Sequence, residues 1–284
     1  AMAPSNWGIT LLDVNALREE GSGEGEIVGV IDTGIDGSHE IIRDNLIAAA
    51  DFTGSSRGSN DVNGHGTHCS GTIGALGNNG IGVAGVNWNV SLMGVKFLSA
   101  TGTGDLEGAV KAIDWAVDHG ADVLNMSYSG SASSVEQKAI QYAQSKGVIT
   151  VAAVGNAYLD SGGSVYNPVQ YPAAFPGVIG VGAITKTGQR SSFSEVGKQV
   201  DVVAPGGSGA FDSGKGIFST FTGSSYVRMP GTSMAAPFVT AAAALTVSRE
   251  RALGLDVDTE DLLLGTASDL GGPGRDRSEE HTSE

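Results

Sequence analysis

The sequence predicts an α/β fold built on a doubly wound, mostly parallel sheet with helices on both faces. From residue 90 onward, short apolar runs alternate with segments whose apolar residues recur at helical spacing. Both of the helical segments that follow close on a glycine, Gly120 and Gly147, as helix C-termini commonly do. Such alternation favours parallel strands that lie side by side and are joined by crossover helices.

The elements can be assigned in chain order. The run Ile27–Asp32 is nearly all apolar, which is typical of a central parallel strand, and Asp32 stands at its carboxyl end. Open α/β sheets place their functional sites at that end. Further strands are predicted at 90–98, 121–127, 148–154, 178–184 and 199–204, which makes five or six in all. Helices are predicted from Leu106 to Gly120, over 134–146, and from Ser233 to about Arg251.

Composition excludes several classes of protein. The net charge of −15 argues against a nucleic-acid partner, because phosphate binding needs clustered lysine and arginine. No apolar run is long enough to span a membrane. The only cysteine, Cys69, has no second cysteine with which to form a disulfide. No signal peptide is visible, so the sequence is either intracellular or a mature form whose leader has been removed.

Ser233 is the first candidate for chemistry. It falls in the first turn of an alanine-rich helix, and the small residues Gly231, Ala235 and Ala236 leave space around its hydroxyl. The helix dipole favours an oxyanion beside this position. The alternative is an ordinary helix cap, the usual role of a hydroxyl at a helix N-terminus. A nucleophilic serine also needs a base, and the base needs an orienting acid.

His65 and Asp32 can supply the base and the acid. Gly64 and Gly66 flank His65 and give its imidazole an open approach at a helix start. Its alternatives are a structural histidine or a metal site with His68, but no third ligand follows at zinc spacing. For Asp32 the alternative is a turn or a helix cap.

Three motifs, in this order, resemble those of the subtilisin-like serine proteases, the subtilase family. They are residues 30–36 around Asp32, residues 65–68, and residues 231–237 around Ser233. The resemblance implies that Ser233 attacks the scissile carbonyl, that His65 takes its proton and that Asp32 orients the imidazole. Asn156, which follows the strand 148–154, matches the family's side-chain oxyanion donor. Its alternative is a turn residue after Gly155.

The resemblance also implies how substrate binds. An extended peptide lies as an added strand between residues 102–104 and 127–129. The substrate-binding residues implied are Gly102, Gly104, Ser127, Tyr128, Ser129, Ala153, Gly155 and Gln170. Gln170 either shortens the pocket for the residue before the cut and makes it polar, or turns to solvent. No acidic pair is evident at that pocket, so apolar or aromatic residues are expected there rather than dibasic sites.

Residues 76–83 resemble the family's tight calcium loop, which implies a structural calcium ion and no organic cofactor. The implied ligands are Leu76, Asn78, Ile81 and Val83, and the loop contains one extra glycine. The family's aspartate ligand falls near Ile41 here, where Asp44 is a possible replacement. A second cation site around Ala173, Phe175, Val178 and Asp201 is implied by the resemblance alone.

Two further positions bear on the family branch. Cys69, four residues after His65, is similar to the thiol that lies under the catalytic histidine in the proteinase K branch. Packing is its expected role, because a buried thiol is inert as a nucleophile. Phe238, directly after Pro237, stands where most relatives carry histidine, and we expect it to repack the helix face.

The domain organisation and function follow from the resemblance. We expect an N-terminal arm (1–6) anchored at Trp7, a subtilase catalytic domain (7–276) truncated at its C-terminus, and a non-native tail (277–284). The tail reads like the in-frame translation of a sequencing-adapter oligonucleotide; the alternative is a solvated charged tail.

The expected function is that of a secreted, extracellular and monomeric serine endopeptidase with broad specificity for protein and peptide substrates. It would be made with a leader and a propeptide that acts as an intramolecular inhibitor. The alternatives are an inactive subtilase-fold binding protein and an intracellular subtilase, which the acidic charge would fit.

Overall fold

A computed structural model describes residues 6–157, 169–255, 257–268 and 270. Seven parallel strands form one sheet in the order β2-β3-β1-β4-β5-β6-β7. They are β1 (Ile27–Asp32), β2 (Leu46–Asp51), β3 (Ser91–Lys96), β4 (Val123–Met126), β5 (Ile149–Ala153), β6 (Ile179–Ile184) and β7 (Val202–Pro205). The fold is the predicted parallel α/β sheet.

The other elements surround this sheet. The helices are α1 (Trp7–Leu11), α2 (Val14–Glu20), α3 (His65–Gly74), α4 (Leu106–Asp118), α5 (Ser134–Ser145), α6 (Thr232–Leu253) and α7 (Thr259–Thr266). An antiparallel hairpin consists of β8 (Ile217–Phe221) and β9 (Ser225–Met229). None of the helices among the described residues combines the length and the apolar character needed to cross a membrane.

Two separate cores show that the sheet is covered on both faces. Successive strand residues point to opposite faces, so Val30 lies in one core and Ile31 in the other. The core that contains Val30 is completed by α6 and the buried face of α3, and the core that contains Ile31 by α4 and α5. The sheet is therefore doubly wound, as predicted.

The position of β1 creates the site. β1 pairs with β3 on one side and with β4 on the other, so β2 and β3 lie on one side of β1 and the later strands lie on the opposite side. A crevice opens at the carboxyl ends of strands where the order reverses in this way. Asp32, the last residue of β1, lies at that point.

The sequence patterns missed several elements. β2 is an edge strand whose residues are partly buried or exposed, and it contains a run of three alanines, a residue with low strand propensity. The hairpin strand β8 carries the polar Ser219 and Thr220, which bond to α3. The sheet thus has seven strands instead of five or six, and α1, α2 and α7 add to the predicted helices.

The ends of the chain are described in part. Trp7 is buried, and its Nε1 donates to the carbonyl of Gly216 at 3.2 Å. The proposed non-native tail (277–284) and most of the predicted N-terminal arm lie outside the described residues.

Candidate active site

Asp32 and His65 meet where β1 ends and α3 begins. Nδ1 of His65 lies 2.8 Å from Oδ1 and 2.9 Å from Oδ2 of Asp32, whose side chain is fully buried. A carboxylate only accepts hydrogen bonds, so Nδ1 of His65 carries the proton. In the neutral ring Nε2 then carries the free lone pair, which is the arrangement that a general base needs.

Two glycines allow this approach. Gly64 precedes α3 at φ 101°, and a Cβ there would lie 2.1 Å from the ring of Phe221. A Cβ on Gly66 would lie 2.2 Å from the carbonyl oxygen of Gly34 and 3.1 Å from Cβ of Asp32. Neither position accepts a side chain, so the glycines around His65 serve close packing as well as access.

The electrostatics of His65 favour a base that works near neutral pH. Burial lowers the pKa of His65, but the charge and hydrogen bond of Asp32, aided by Asp61, outweigh it and leave the pKa above its ordinary value. Its side chain keeps 21 % of its surface exposed, so its unbonded edge can be reached from the cavity that it lines.

Ser233 lies in the first turn of α6 and lines the same cavity as His65. Its hydroxyl donates to the carbonyl of Ser127 at 3.0 Å. Transfer of the proton to His65 therefore requires the hydroxyl to turn from Ser127 towards Nε2. Catalytic hydrogen bonds are often loose in a free enzyme and tighten when substrate binds.

Pro237 explains how the carbonyl of Ser233 is used. Proline has no N–H, so the helical hydrogen bond from residue 237 to the carbonyl of Ser233 cannot form. That carbonyl instead accepts from Oγ of Ser127 at 2.9 Å and from Sγ of Cys69 at 3.4 Å. The start of α6 is thereby tied to the segment after β4 and to α3.

Asn156 follows β5 and is exposed at the rim of the site. Its Oδ1 accepts from the backbone N–H of Thr232 at 2.9 Å and from the Thr232 hydroxyl at 3.0 Å. A backbone N–H can only donate, so the amide oxygen faces Thr232, and Nδ2 is directed away from it, 3.9 Å from where a Cβ on Gly231 would lie. The N–H of Ser233, in the first turn of α6, has no intrahelical partner.

A cavity of about 660 Å³ brings together five of the predicted substrate-binding residues with His65 and Ser233. The five are Gly102, Gly104, Ser127, Tyr128 and Ser129. Ala153, Gly155 and Gln170 lie outside this cavity, on the side of Asn156. The Cγ and Cδ atoms of Gln170 lie 3.1 Å from where a Cβ on Gly155 would stand, so its side chain packs over Gly155 and is half-buried.

A buried carboxylate of this cavity was not predicted. Glu136 is only 5 % exposed, lines the cavity, and its Oε1 accepts from the Tyr128 hydroxyl at 3.0 Å. Ser133 and Glu136 also have the spacing of a capping box at the start of α5, a purely structural role. The only available signal was a carboxylate eight residues after Tyr128.

The predicted calcium loop has oxygen donors and little negative charge. The side chain next to the predicted Asn78, that of Asn79, bonds to the loop backbone: its Nδ2 donates to the Leu76 carbonyl at 3.3 Å and its Oδ1 accepts from the Ile81 N–H at 3.0 Å. Asn78 is exposed with φ 56°, and Val83 is buried. Backbone carbonyls and an amide oxygen suit calcium chemically.

Glu40 is the carboxylate that the structure brings towards this loop. Its Oε1 accepts from the Tyr226 hydroxyl at 3.2 Å, and that hydroxyl lies 2.2 Å from where a Cβ on Gly82 would stand. Burial, together with the charge of Glu40, raises the pKa of Tyr226 to about 12, so the hydroxyl remains a donor. Asp44, the predicted replacement, is 65 % exposed and pairs with Arg43 at 3.4 Å.

The second predicted cation site is a tightly packed region. Ala173, Phe175 and Val178 are all buried. Oδ2 of Asp201 accepts from the backbone N–H of Gly180 at 2.9 Å.

Cys69 lies beneath the Asp32–His65 pair. It is fully buried, and its Sγ, the Asp32 carboxylate and a His65 ring nitrogen lie within 4.8 Å of one another. Burial and the charge of Asp32 raise the pKa of the Cys69 thiol well above its ordinary value. His68 is held elsewhere: its Nε2 bonds to the Ile217 carbonyl at 3.0 Å, and burial lowers its pKa to about 3. The two histidines therefore do not form a metal pair.

Phe238 lies in the same core cluster as Trp7 and Ile9 of α1. It is 2 % exposed, and its Cζ lies 2.6 Å from where a Cβ on Gly8 would stand, so its ring packs directly on α1. This is the repacked helix face expected for an aromatic residue at this position.

Comparison with known proteins agrees with this geometry. The subtilase family (Peptidase_S8) matches residues 23–280. Subtilisin DY of Bacillus licheniformis is 39 % identical over 267 residues, which cover 93 % of this chain and 92 % of that protein. Subtilisin E of Bacillus subtilis (strain 168) is 41 % identical over 268 residues, which cover 93 % of this chain and 66 % of that protein.

A solved structure extends the likeness to three dimensions. A cold-adapted subtilisin-like serine proteinase matches with a TM-score of 0.71 and 34 % identity, over 86 % of this chain and 81 % of that one. The family match covers most of the chain and the relatives are well above 30 % identical. The chain therefore belongs to the subtilase family and is a subtilisin-like serine endopeptidase.

Proposed function

We propose that this protein cleaves peptide bonds through Ser233, His65 and Asp32. The observation that carries the proposal is the contact of His65 Nδ1 with both oxygens of Asp32, at 2.8 and 2.9 Å, beside a cavity that Ser233 also lines. Oγ of Ser233 attacks the carbonyl carbon while Nε2 of His65 takes its proton, and Asp32 stabilises the resulting imidazolium. His65 then protonates the leaving amine and activates the water that releases the acyl group.

Asn156 and the N–H of Ser233 would bind the oxyanion. The contacts of Asn156 Oδ1 with Thr232 support this role, because they leave the Nδ2 protons to donate on the other side of the amide. Donors fixed before the reaction stabilise developing charge without having to reorganise, which is usually a large part of catalysis.

Substrate would bind as an extended strand between residues 102–104 and 127–129. The side chain before the cut would enter a pocket bounded by Ala153, Gly155 and Gln170. Ala153 is buried and Gln170 packs over Gly155, which favours apolar or aromatic side chains of limited length. Both segments line the cavity, and pairing with the substrate backbone would support broad specificity, since it reads shape more than sequence.

The first experiment tests the nucleophile. The purified protein is treated with a fluorophosphonate probe, with Ser233→Ala as the matched control. We expect labelling of the wild type, none of the variant, and loss of peptide hydrolysis in the variant. A folded wild type that takes up no label would instead support an inactive binding protein on a subtilase fold.

Calcium, secretion and assembly belong to the same proposal. A structural calcium ion would be held by the carbonyls of Leu76, Ile81 and Val83 and an asparagine of the loop, with Glu40 as the carboxylate nearby. Its role would be to hold the loop in place.

We further propose a secreted monomer that is made with an inhibitory propeptide; secretion would fit the similarity to subtilisins.

A further inference from the structure

We propose that Glu136 makes the cavity beside the triad select a lysine or arginine side chain at a substrate position on the amino-terminal side of the cut, beyond the residue next to it. This inference rests on the proposed function, because it takes Ser233 as the nucleophile and the strands at 102–104 and 127–129 as the substrate cleft.

The local role of Glu136 is only half fulfilled. Oγ of Ser133 accepts from the N–H groups of Val135 and Glu136, as a capping box requires. In the completed motif the Glu136 carboxylate would reach back to the N–H of Ser133. Here it turns to the Tyr128 hydroxyl and lines the cavity. Helix capping therefore does not account for where the carboxylate points.

The carboxylate retains unused acceptor capacity. Its Oε1 accepts from Tyr128, whereas no group among the described residues donates to Oε2. The described residues that line the cavity include neither lysine nor arginine. Asp105, the other acid there, already caps α4 by accepting from the N–H of Gly108 at 2.7 Å. A buried carboxylate with one hydrogen bond is costly, and a cation from the substrate would stabilise it.

The shape of the cavity matches a long cationic side chain. Its walls include Phe97, Leu98, Leu106 and Ala109, and the ring of Tyr128 stands edge-on to that of Phe97 at 4.6 Å. Lysine and arginine pack their methylene stems on apolar surfaces and keep their charged ends at polar groups. Apolar walls with one carboxylate thus suit these residues better than a purely aliphatic side chain.

The position in the substrate follows from the strand geometry. The side chain before the cut enters the pocket at Ala153, Gly155 and Gln170, none of which lines this cavity. Side chains of an extended peptide alternate in direction. The cavity between residues 102–104 and 127–129 therefore receives a side chain farther from the cut.

The test compares fluorogenic peptides that carry lysine or its uncharged analogue norleucine at the second, third or fourth residue before the cut. At one position we expect lysine to raise kcat/KM about tenfold over norleucine. Glu136→Gln keeps the shape and an acceptor for Tyr128, and it should remove most of that ratio. Asp105→Asn is the matched control and should retain the ratio.

Two results would overturn the inference. One is equal kcat/KM for lysine and norleucine at all three positions; the other is a lysine preference that persists in Glu136→Gln. Binding of the same peptides to Ser233→Ala, measured by fluorescence anisotropy, tests the preference without turnover. Equal dissociation constants there would refute the role of Glu136, whereas absence of probe labelling in the wild type would refute only the proposed catalysis.

Discussion

Oδ1 of Asn156 accepts hydrogen bonds from both the backbone N–H and the hydroxyl of Thr232, the residue directly before Ser233. The amide of Asn156 is therefore oriented by the helix that carries the proposed nucleophile, Ser233. A movement of the start of α6 that displaces Ser233 would therefore also displace the Asn156 amide, the proposed oxyanion donor. The two groups would keep their relative position.

Asn156→Ala should lower kcat by about 10²–10³-fold with little change in KM, the loss known for the equivalent donor in a subtilisin. The reason is that the interaction forms only in the transition state. Thr232→Val keeps the backbone N–H but removes the hydroxyl bond, so it should cost less than Asn156→Ala. Steady-state kinetics on one peptide measures both. A kcat within threefold of wild type for Asn156→Ala would exclude the oxyanion role.

The pH profile of kcat/KM should report His65. The base must be neutral, and Asp32 raises the pKa of His65 against the effect of burial. Activity should therefore be lost as pH falls and rise through a pKa above the ordinary value of about 6.5. Asp32→Asn should lower that apparent pKa and reduce kcat by about 10⁴-fold. A wild-type inflection below 6.5 would contradict this account.

Mercury(II) should inhibit the enzyme through Cys69. The thiol lies against Asp32 and His65, so a mercury ion bound to it would disturb the Asp32–His65 pair. The raised pKa of the thiol should make it unreactive towards iodoacetamide. Cys69→Ala should stay active in mercury at concentrations that abolish wild-type activity. Stoichiometric mercury labelling of Cys69 with full activity would show that the thiol does not act on the triad.

Calcium should raise the melting temperature relative to EDTA, by an amount that grows with calcium concentration. The measurement is best made on Ser233→Ala, which cannot digest itself. In that background Glu40→Gln should reduce the calcium-dependent shift, and Asp44→Asn should leave it unchanged, because Asp44 points to solvent and Arg43. The opposite pattern would restore Asp44 as the ligand.

Arg251→Met should destabilise the fold. Arg251 bonds to Glu26, which is 2 % exposed, and to Asp122 at 2.6 Å. Removing the cation leaves two neighbouring carboxylates without the positive charge of Arg251. Breaking a buried pair costs about 3–5 kcal/mol, and because Arg251 is half-exposed we expect about 1–3 kcal/mol at pH 7. Urea unfolding of Ser233→Ala with and without the change measures this free energy.

The sign of the pH dependence also follows. Burial and Asp122 raise the folded-state pKa of Glu26, and Arg251 opposes them. Without Arg251 the folded pKa rises further, so the charged carboxylate destabilises the fold above that pKa. The loss should shrink as pH falls towards the unfolded pKa of about 4.3. Lys111→Met, which removes an exposed pair with Glu107, is the control and should change little at either pH. An equal loss at pH 7 and pH 4 for Arg251→Met would contradict the argument.

The fold and the contact between Asp32 and His65 could be predicted because each rests on local chemistry. The strand Ile27–Asp32 is nearly all apolar, and the two positions beside His65 must be glycine because a Cβ there would lie only 2.1 or 2.2 Å from a neighbouring atom. Both features are visible in the residue types themselves.

The remaining features depend on contacts between distant residues. The sequence could not decide whether Gln170 faced solvent, because its neighbour Gly155 comes from another strand end. It assigned a calcium-ligand role to Asn78, but it could not show that the neighbouring Asn79 side chain bonds to the backbone of the same loop. Glu136 was hidden by its capping-box spacing, since its actual partner, Tyr128, belongs to the segment after β4.

The placement of Ser233 on α6 has a consequence for when activity arises. Asp32 and His65 are contributed by the first strand and the third helix, whereas the proposed nucleophile, Ser233, comes from a helix that follows all seven strands of the sheet. A nascent chain that has emerged as far as β7 can already form the acid–base pair, yet it carries no hydroxyl to attack a peptide. The chain therefore becomes able to hydrolyse peptide bonds only late in its biosynthesis. By then its own earlier part, the substrate nearest to the site, has begun to fold and is no longer open to cleavage.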